Sequence, residues 1–234
     1  MGYNGNMFDV FDILQLLATF IAVIVVLTLH EFSHAFVAYK CGDPTAKFMG
    51  RMTLNPVRHF DPLGILLFVF ARFGWAKPVP INPDNFRNRK RGSFLTSAAG
   101  IAVNYLSAFL LFYPLYVLTA MYVVPIFNGK YMAYFLLYLT SSLFSVSISF
   151  AVFNFLPLFP LDGFRMWEAI DRRNYKILNF LRENGHRILM GLILLNLAAS
   201  YSPILNYVNV LGIAMSYLSK IFILPITALW GLIF

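Results

Sequence analysis

The chain has little charge and almost no cysteine. Of its 234 residues only 12% are charged, whereas 59% are hydrophobic and the mean hydropathy is +0.70. Soluble domains carry about a quarter charged residues, so this sequence lacks the polar surface that a water-soluble globule needs. The single cysteine, Cys41, excludes a disulfide scaffold and a thiolate-rich metal cluster. The composition therefore predicts an integral membrane protein.

Four long apolar runs supply the candidate membrane spans. They cover residues 13–38, 94–124, 131–159 and about 188–234, and a helix needs roughly 20 apolar residues to cross a bilayer. Pro203 and a polar stretch interrupt the last run, which can hold one long span or two short ones. Residues 1–12 contain no Lys or Arg, so the first run is predicted to be a retained span and not a cleaved signal peptide. We expect an all-α polytopic membrane protein with four to five transmembrane helices. Residues 1–234 would form a single domain, with its core over residues 10–170 and C-terminal spans over residues 175–234.

The net charge of +8 follows the predicted topology. Most Lys and Arg residues fall in two connections, residues 40–91 and 165–187. The positive-inside bias then predicts a multi-pass protein of the cell membrane with its N-terminus outside and both connections in the cytoplasm. The basic cluster formed by Arg87, Arg89, Lys90 and Arg91 is typical of a segment beside lipid headgroups. We expect the lipid bilayer, and no nucleic acid, as its partner.

Three ionisable residues lie inside the first run, where charge is costly and usually marks function. His30, Glu31 and His34 spell H-E-x-x-H. On a helix, residues four apart share a face, so both imidazoles can bind one metal ion. Glu31 can then reach a water at the metal and accept its proton, which is the arrangement of a hydrolytic zinc site. The alternative, that the three side chains only pair with neighbouring helices, explains this spacing less well.

A third ligand is needed, and Asp162 is the strong candidate near another apolar run. It lies in the sequence N-F-L-P-L-F-P-L-D-G, which begins at Asn154. Pro157 and Pro160 cannot continue a helix, and unwound backbone at membrane depth is tolerated only where it is buried in protein or lines a cavity. Alone, this stretch is more typical of a helix end followed by a surface turn than of a metal ligand. Together with the histidine motif, it predicts a ligand.

The pair of motifs resembles the site-2 protease family of intramembrane zinc metalloproteases. That family carries H-E-x-x-H on one helix and N-x-x-P-x-x-P-x-D-G on another, and both are complete here. Residues 50–56, 61–64 and 73–83 further resemble its compact bacterial and archaeal branch, which has no PDZ domain. The resemblance covers residues 15–170.

The resemblance implies one Zn²⁺ per chain, bound by His30, His34 and Asp162. Glu31 would be the general base, and Asn154 a donor that holds substrate or the developing oxyanion. The substrates would be transmembrane proteins, cleaved near the cytoplasmic side in regulated intramembrane proteolysis, with control by a membrane partner or by prior cleavage. The family's A-G-P-x-x-N motif lacks its proline here, so for Asn104 we expect only a packing role.

A small membrane-associated β-hairpin or re-entrant loop is also expected. Residues 50–54 alternate in polarity, and residues 63–73 are too short to span and therefore dip into the bilayer. Pro78 and Pro80 remove N–H donors from one edge of an extended segment, so the opposite edge near Val79 could bind an unwound substrate strand. The same residues are equally typical of a rigid loop without substrate contact. Residues 63–73 could form a lid or an anchoring hairpin.

Two other functions use the same metal ligands. A divalent-metal transporter would need further acidic or histidine ligands along a path across the membrane, and the sequence has few. An inactive metal-binding scaffold would not need Glu31. We therefore favour the zinc metalloprotease.

Overall fold

A computed structural model describes residues 9–62, 64, 77–126, 130–170, 175–199 and 201–234. The helices in these ranges are α1 (Val10–Cys41), α2 (Thr45–Phe48), α3 (Arg89–Ile126), α4 (Tyr131–Phe155), α5 (Asp162–Ile170), α6 (Tyr175–Ala199) and α7 (Val210–Trp230). Of these, α1, α3, α4 and α7 are long and apolar enough to span a membrane, which makes 4 candidate spans. The predicted polytopic helical architecture is confirmed at this level.

Local sequence fixes both ends of α1. Asp9 caps its first turn in a capping box with Asp12, so backbone donors that lack helical partners are satisfied there. At the other end Gly42 adopts a left-handed conformation with φ 114°, which glycine accepts without steric cost. A side chain at Gly42 would also crowd the backbone of Asn85, so this turn lets the segment before α3 approach the end of α1.

Small residues along α1 allow close helix packing. Ala18, Ala22, Ala35 and Ala38 are fully buried, and α1 packs against α3 and α4. One apolar cluster joins Ala22 and Val26 to residues of α3 and α4, and a second joins α3, α4 and α7. The central helices α1, α3 and α4 therefore form the frame on which the polar residues of α1 are held.

The chain turns after α4 and places the start of α5 against the end of α4. Pro157 and Pro160 lie in the reversal, and the Phe159–Pro160 peptide bond is cis. A Cβ atom at Gly163 would collide with the backbone of Phe155 and Leu156, so only glycine permits this close approach. As a result, Asp162, the first residue of α5, is buried against the core.

The part of the chain described by the structure contains no β-strand and does not support the predicted β-hairpin. For residues 50–54 the strand prediction is wrong: the N–H groups of Gly50 and Arg51 instead bond to carbonyls of α2. Residues 77–82 belong to no helix or strand, and the N–H groups of Val79 and Asn82 donate to carboxylates and not to a neighbouring strand. The re-entrant prediction for residues 63–73 falls, except for Gly64, outside the described residues.

Candidate metal centre

Three of the predicted site residues meet at one point. His30 and His34 lie one turn apart on α1, and Asp162 begins α5. The Nε2 atoms of the two histidines are 3.0 Å apart, and Asp162 Oδ2 lies 3.3 Å from His30 Nε2 and 3.1 Å from His34 Nε2. Their residues are 5%, 6% and 7% exposed, respectively. Among the described residues, this is the group of His, Cys, Asp and Glu side chains able to hold a metal ion.

The donor atoms fit a zinc ion. Asp162 Oδ2 is completely buried and accepts no hydrogen bond from the described residues. A buried carboxylate oxygen without a partner is costly unless a cation lies beside it. Two imidazole nitrogens and one carboxylate oxygen form a typical catalytic zinc set, and zinc bonds of about 2.0 Å in tetrahedral geometry put ligand atoms about 3.3 Å apart. The observed separations match this spacing.

Helix α3 orients the imidazole of His34. The Nδ1 atom of His34 lies 2.7 Å from the carbonyl oxygen of Thr96, and the ring is buried. Because a carbonyl only accepts, His34 Nδ1 must carry the proton, which leaves the lone pair of Nε2 pointing at Asp162. Metal-binding histidines are commonly held by such a contact from a carbonyl or carboxylate.

Asn104 contacts the second histidine. Its side-chain amide nitrogen lies 3.1 Å from His30 Nδ1, and the residue is 1% exposed. The amide oxygen of Asn104 is buried without a partner among the described residues. Since the two ends of an amide are interchanged by a half-turn, this oxygen can accept the Nδ1 proton of His30 and leave Nε2 free to bind metal. The sequence pattern predicts only a packing role for Asn104, and the structure places its side chain against a predicted ligand.

Replacing Asn104 by Leu should weaken zinc binding about 10- to 100-fold, as is usual when the partner of a metal-binding histidine is lost. Leu keeps the volume of Asn104 but cannot hold His30 Nδ1. Zinc affinity would be measured by competition with a chelator. Thr140→Val is the matched control, because Thr140 is a buried polar residue whose hydroxyl bonds only within α4. Equal zinc affinity in the wild type and Asn104→Leu would contradict this role.

Gly100 provides the space for both imidazoles. A Cβ atom at this position would lie 2.5 Å from His34 Nε2, 2.7 Å from His30 Nδ1 and even closer to His30 Cε1. These separations are far below van der Waals contact. Thr96, Gly100 and Asn104 are spaced by four residues, so one face of α3 holds the cluster. The spacing of small and polar residues marks one face of α3 for close packing, but it does not indicate which helix that face meets.

Glu31 lies next to the cluster and accepts a backbone hydrogen bond. The N–H of Val79 donates to Glu31 Oε2 over 2.9 Å. Val79 is flanked by Pro78 and Pro80, which have no N–H, so it is the single backbone donor of this tripeptide. The side chain of Val79 is buried beside Ala35. The N–H that was expected to be free for a substrate strand is thus bonded to the predicted general base.

Two buried charged residues hold this extended segment in place. The Nη2 atom of Arg51 donates to the carbonyl of Lys77 over 2.6 Å. Asp43 accepts from the N–H of Asn82 over 2.7 Å and from the side chain of Asn85 over 2.9 Å. Both charged residues lie between α1 and the extended segment in sequence, so they tie the segment to the end of α1.

The pKa of Asp43 reflects this role. Burial of its carboxylate opposes ionisation, but hydrogen bonds from Thr45, Asn85 and Asn82 outweigh burial and lower its pKa below the usual range. A lowered pKa in the folded state means that the ionised carboxylate stabilises the fold above its unfolded pKa, and that this contribution is lost as the pH falls through the folded pKa. The anchor is therefore fully charged at neutral pH.

Asn154 is not brought to the cluster. Its side-chain amide donates to the carbonyl of Phe150 in its own helix over 3.1 Å. Among the described residues it has no hydrogen bond to His30, His34 or Asp162. In this structure Asn154 is thus a partly buried residue at the end of α4.

The comparison with protein families agrees with this geometry. The sequence matches the profile described as "Peptidase family M50" over residues 18–197, which includes all three converging side chains. The chain belongs to peptidase family M50. The resemblance to the site-2 proteases is thereby confirmed, and this M50 chain is a membrane metalloprotease. Membership also implies zinc, which the donor set fits.

Two curated relatives carry metalloprotease names. The chain is 41% identical over 152 residues to "Putative zinc metalloprotease YwhC" of Bacillus subtilis, a match that covers 64% of this chain and 67% of that protein. It is 32% identical over 90 residues to "Putative zinc metalloprotease Rip2" of Mycolicibacterium smegmatis, covering 36% of this chain and 34% of the relative. No solved structure matches.

Proposed function

We propose that this M50 peptidase hydrolyses peptide bonds in or beside transmembrane segments of membrane proteins, with one zinc ion bound by His30, His34 and Asp162. The observation that carries the proposal is that two histidines of the apolar helix α1 and Asp162 meet in a buried place, where Asp162 Oδ2 accepts no hydrogen bond from the described residues. A site on a candidate membrane span is suited to substrates that are themselves in the membrane.

Glu31 is proposed as the general base. A zinc ion at this centre would polarise the scissile carbonyl and make an attacking water more acidic. Glu31 is adjacent to His30 in sequence, and its carboxylate is held by the N–H of Val79. From this position Glu31 takes the proton of the attacking water and delivers it to the leaving amine. The hydrogen bond from Val79 restricts the carboxylate to an orientation suited to both transfers.

The segment around Pro78, Val79 and Pro80 is proposed to line the substrate path, and Asn154 to donate a hydrogen bond to bound substrate. The first proposal rests on the contact between Val79 and Glu31, which places this segment beside the reacting groups. The proposal for Asn154 rests on its place at the end of α4, just before the reversal that leads to Asp162. To act on substrate, the amide of Asn154 must leave the carbonyl of Phe150.

We further propose that the centre is reached from the cytoplasm and that the N-terminus is outside the cell membrane. The charge distribution supports this orientation, because the basic residues cluster in the connections on either side of α3 and α4. Regulated intramembrane proteolysis is the process that such a site would serve. The divalent-metal transporter is less well supported, because the described residues contain a single cluster able to hold a metal.

The proposed centre is tested with Asp162→Asn. The amide keeps the shape of the side chain but loses the charge. Zinc affinity should therefore fall by more than about 100-fold, which exceeds the usual loss when a hydrogen-bond partner of a metal-binding residue is removed. Cleavage of single-span membrane proteins by purified enzyme should be lost with zinc and return partly at high zinc concentration. Glu183→Gln, at an exposed carboxylate of α6 that does not line the neighbouring cavity, is the control. Zinc-dependent cleavage that survives unchanged in Asp162→Asn would overturn the assignment.

A further inference from the structure

One face of α3 leads from a basic end to the metal centre. Lys90, Ser93, Ser97 and Gly100 follow one another at intervals of three or four residues, and Thr96 lies beside Ser97 on the same face. Gly100 touches the two histidines, whereas Lys90 is exposed in the first turn of the helix. At a rise of 1.5 Å per residue, the basic end is about 15 Å from the centre.

A cavity of about 560 Å³ adjoins this face. Its walls come from residues 81–86, from the first turns of α3, from Phe159 and from one face each of α5 and α6. Two observations connect this cavity to the metal centre. Thr96 lines the cavity and its carbonyl holds His34, and the cavity wall on α5 begins one turn after Asp162. The cavity therefore adjoins the candidate active site and forms a polar space beside it.

The lining of this cavity is positively charged. Arg89 is paired with Asp84, and Arg182 with Glu168. Lys90 and Arg165 also line the cavity, and neither has an acidic partner among the described residues. Two cations without acidic partners are suited to a carboxylate.

We propose that this cavity is a substrate subsite that binds an acidic residue on the polar side of the scissile bond. The proposal rests on the function proposed above. An extended peptide advances about 3.3 Å per residue, so the 15 Å from the centre to the basic end correspond to about four or five residues. Substrates with Asp or Glu at that distance from the cleavage site are favoured. Those with the Lys or Arg flank typical of cytoplasmic membrane borders are disfavoured.

A peptide fits the cavity better than a lipid headgroup. The hydroxyl-bearing wall continues inward from Lys90 to Thr96, whose carbonyl holds a predicted metal ligand. A peptide bound at the centre that continues along this wall reaches Lys90, whereas a headgroup has no reason to extend toward the reacting groups.

The test compares two synthetic single-span peptides that differ only in one flank, Asp-Glu-Asp or Lys-Arg-Lys. Binding of each fluorescent peptide to zinc-loaded Glu31→Gln enzyme in neutral detergent would be measured at low salt. We expect the acidic peptide to bind about tenfold more tightly, as two or three partly exposed charge contacts allow. The preference should fall to about twofold or less in an added Lys90→Gln/Arg165→Gln double variant. It should remain unchanged with Arg187→Gln, at an exposed residue of α6 that does not line the cavity.

The outcomes distinguish the proposed subsite from the proposed proteolytic function. Equal binding of both peptides, or a preference that the double variant does not reduce, overturns the subsite while leaving proteolysis untouched. A preference that depends on Lys90 and Arg165, in a zinc-loaded enzyme with intact Glu31 that cleaves neither peptide, supports the subsite and counts against the proposed activity. If mass spectrometry shows that the double variant loses bound phosphatidylglycerol and that this lipid displaces the acidic peptide, the cavity is a headgroup site and the proposal fails.

Discussion

Glu31→Gln is expected to abolish peptide cleavage and to leave zinc binding intact. Glutamine cannot accept a proton from water, and loss of a general base costs about 10²- to 10⁴-fold in rate. Its side-chain oxygen can still accept the hydrogen bond that Val79 donates to Glu31 Oε2. The extended segment and the three converging side chains should therefore keep their positions. Cleavage of a single-span membrane protein and zinc content would be measured on the same purified sample.

A second substitution at this position separates chemistry from positioning. Glu31→Ala removes both the base and the acceptor for Val79, so it should be equally inactive but should loosen residues 77–82, as detected by faster amide exchange. Glu183→Gln, at an exposed residue of α6, is the control and should retain full activity. Cleavage by Glu31→Gln within tenfold of the wild-type rate would show that another group accepts the proton.

The membrane spans and the three converging side chains could be predicted because their signals are local. An apolar run long enough to cross a bilayer is read directly from the sequence, and four such helices are present. The four-residue spacing of His30 and His34 places both on one helix face wherever that helix packs. Asp162 was identifiable because the histidine motif needs a third ligand, and this acid follows an apolar run that two prolines interrupt.

The contributions of α3 could not be predicted in the same way, because they depend on how helices face one another. The carbonyl of Thr96 has no sequence signature, and Gly100 matters only because the histidines of α1 lie opposite. Asn104 was recognisable as polar, but its partner His30 is 74 residues away in sequence. Residues separated in this way become neighbours only once the register between α1 and α3 is known.

The segment near Val79 shows a different limit of prediction from sequence. Its two prolines predict extended backbone, yet a strand also requires a neighbour in register. In the structure the N–H groups of Val79 and Asn82 bond to the carboxylates of Glu31 and Asp43, whereas the N–H of Lys77 bonds to the carbonyl of His59. A side-chain acceptor satisfies a backbone N–H as well as a neighbouring strand does. The spacing of the two prolines therefore could not distinguish the two arrangements.

Gly100→Ala is expected to remove zinc and activity while leaving the protein folded. The added methyl group would lie 2.5 Å from His34 Nε2 and 2.7 Å from His30 Nδ1, so both rings must move away from the point where they meet Asp162. Overpacking of this kind costs about 1–3 kcal/mol, which helical membrane proteins can survive. Ligand atoms displaced by several tenths of an ångström no longer share one zinc ion, because its bonds vary by only about 0.2 Å. We expect zinc affinity to fall by more than about 100-fold.

Gly191→Ala is the matched control for this prediction. A Cβ atom at Gly191, in α6, meets nothing within 4 Å, so the same chemical change should leave zinc content and cleavage unaltered. Because alanine is the better helix former, it should also keep or slightly raise thermal stability. Wild-type zinc affinity in Gly100→Ala would mean that α3 lies further from the two histidines than in this structure. Loss of zinc in both variants would instead indicate a general sensitivity of the helices to substitution, unrelated to the space that Gly100 provides.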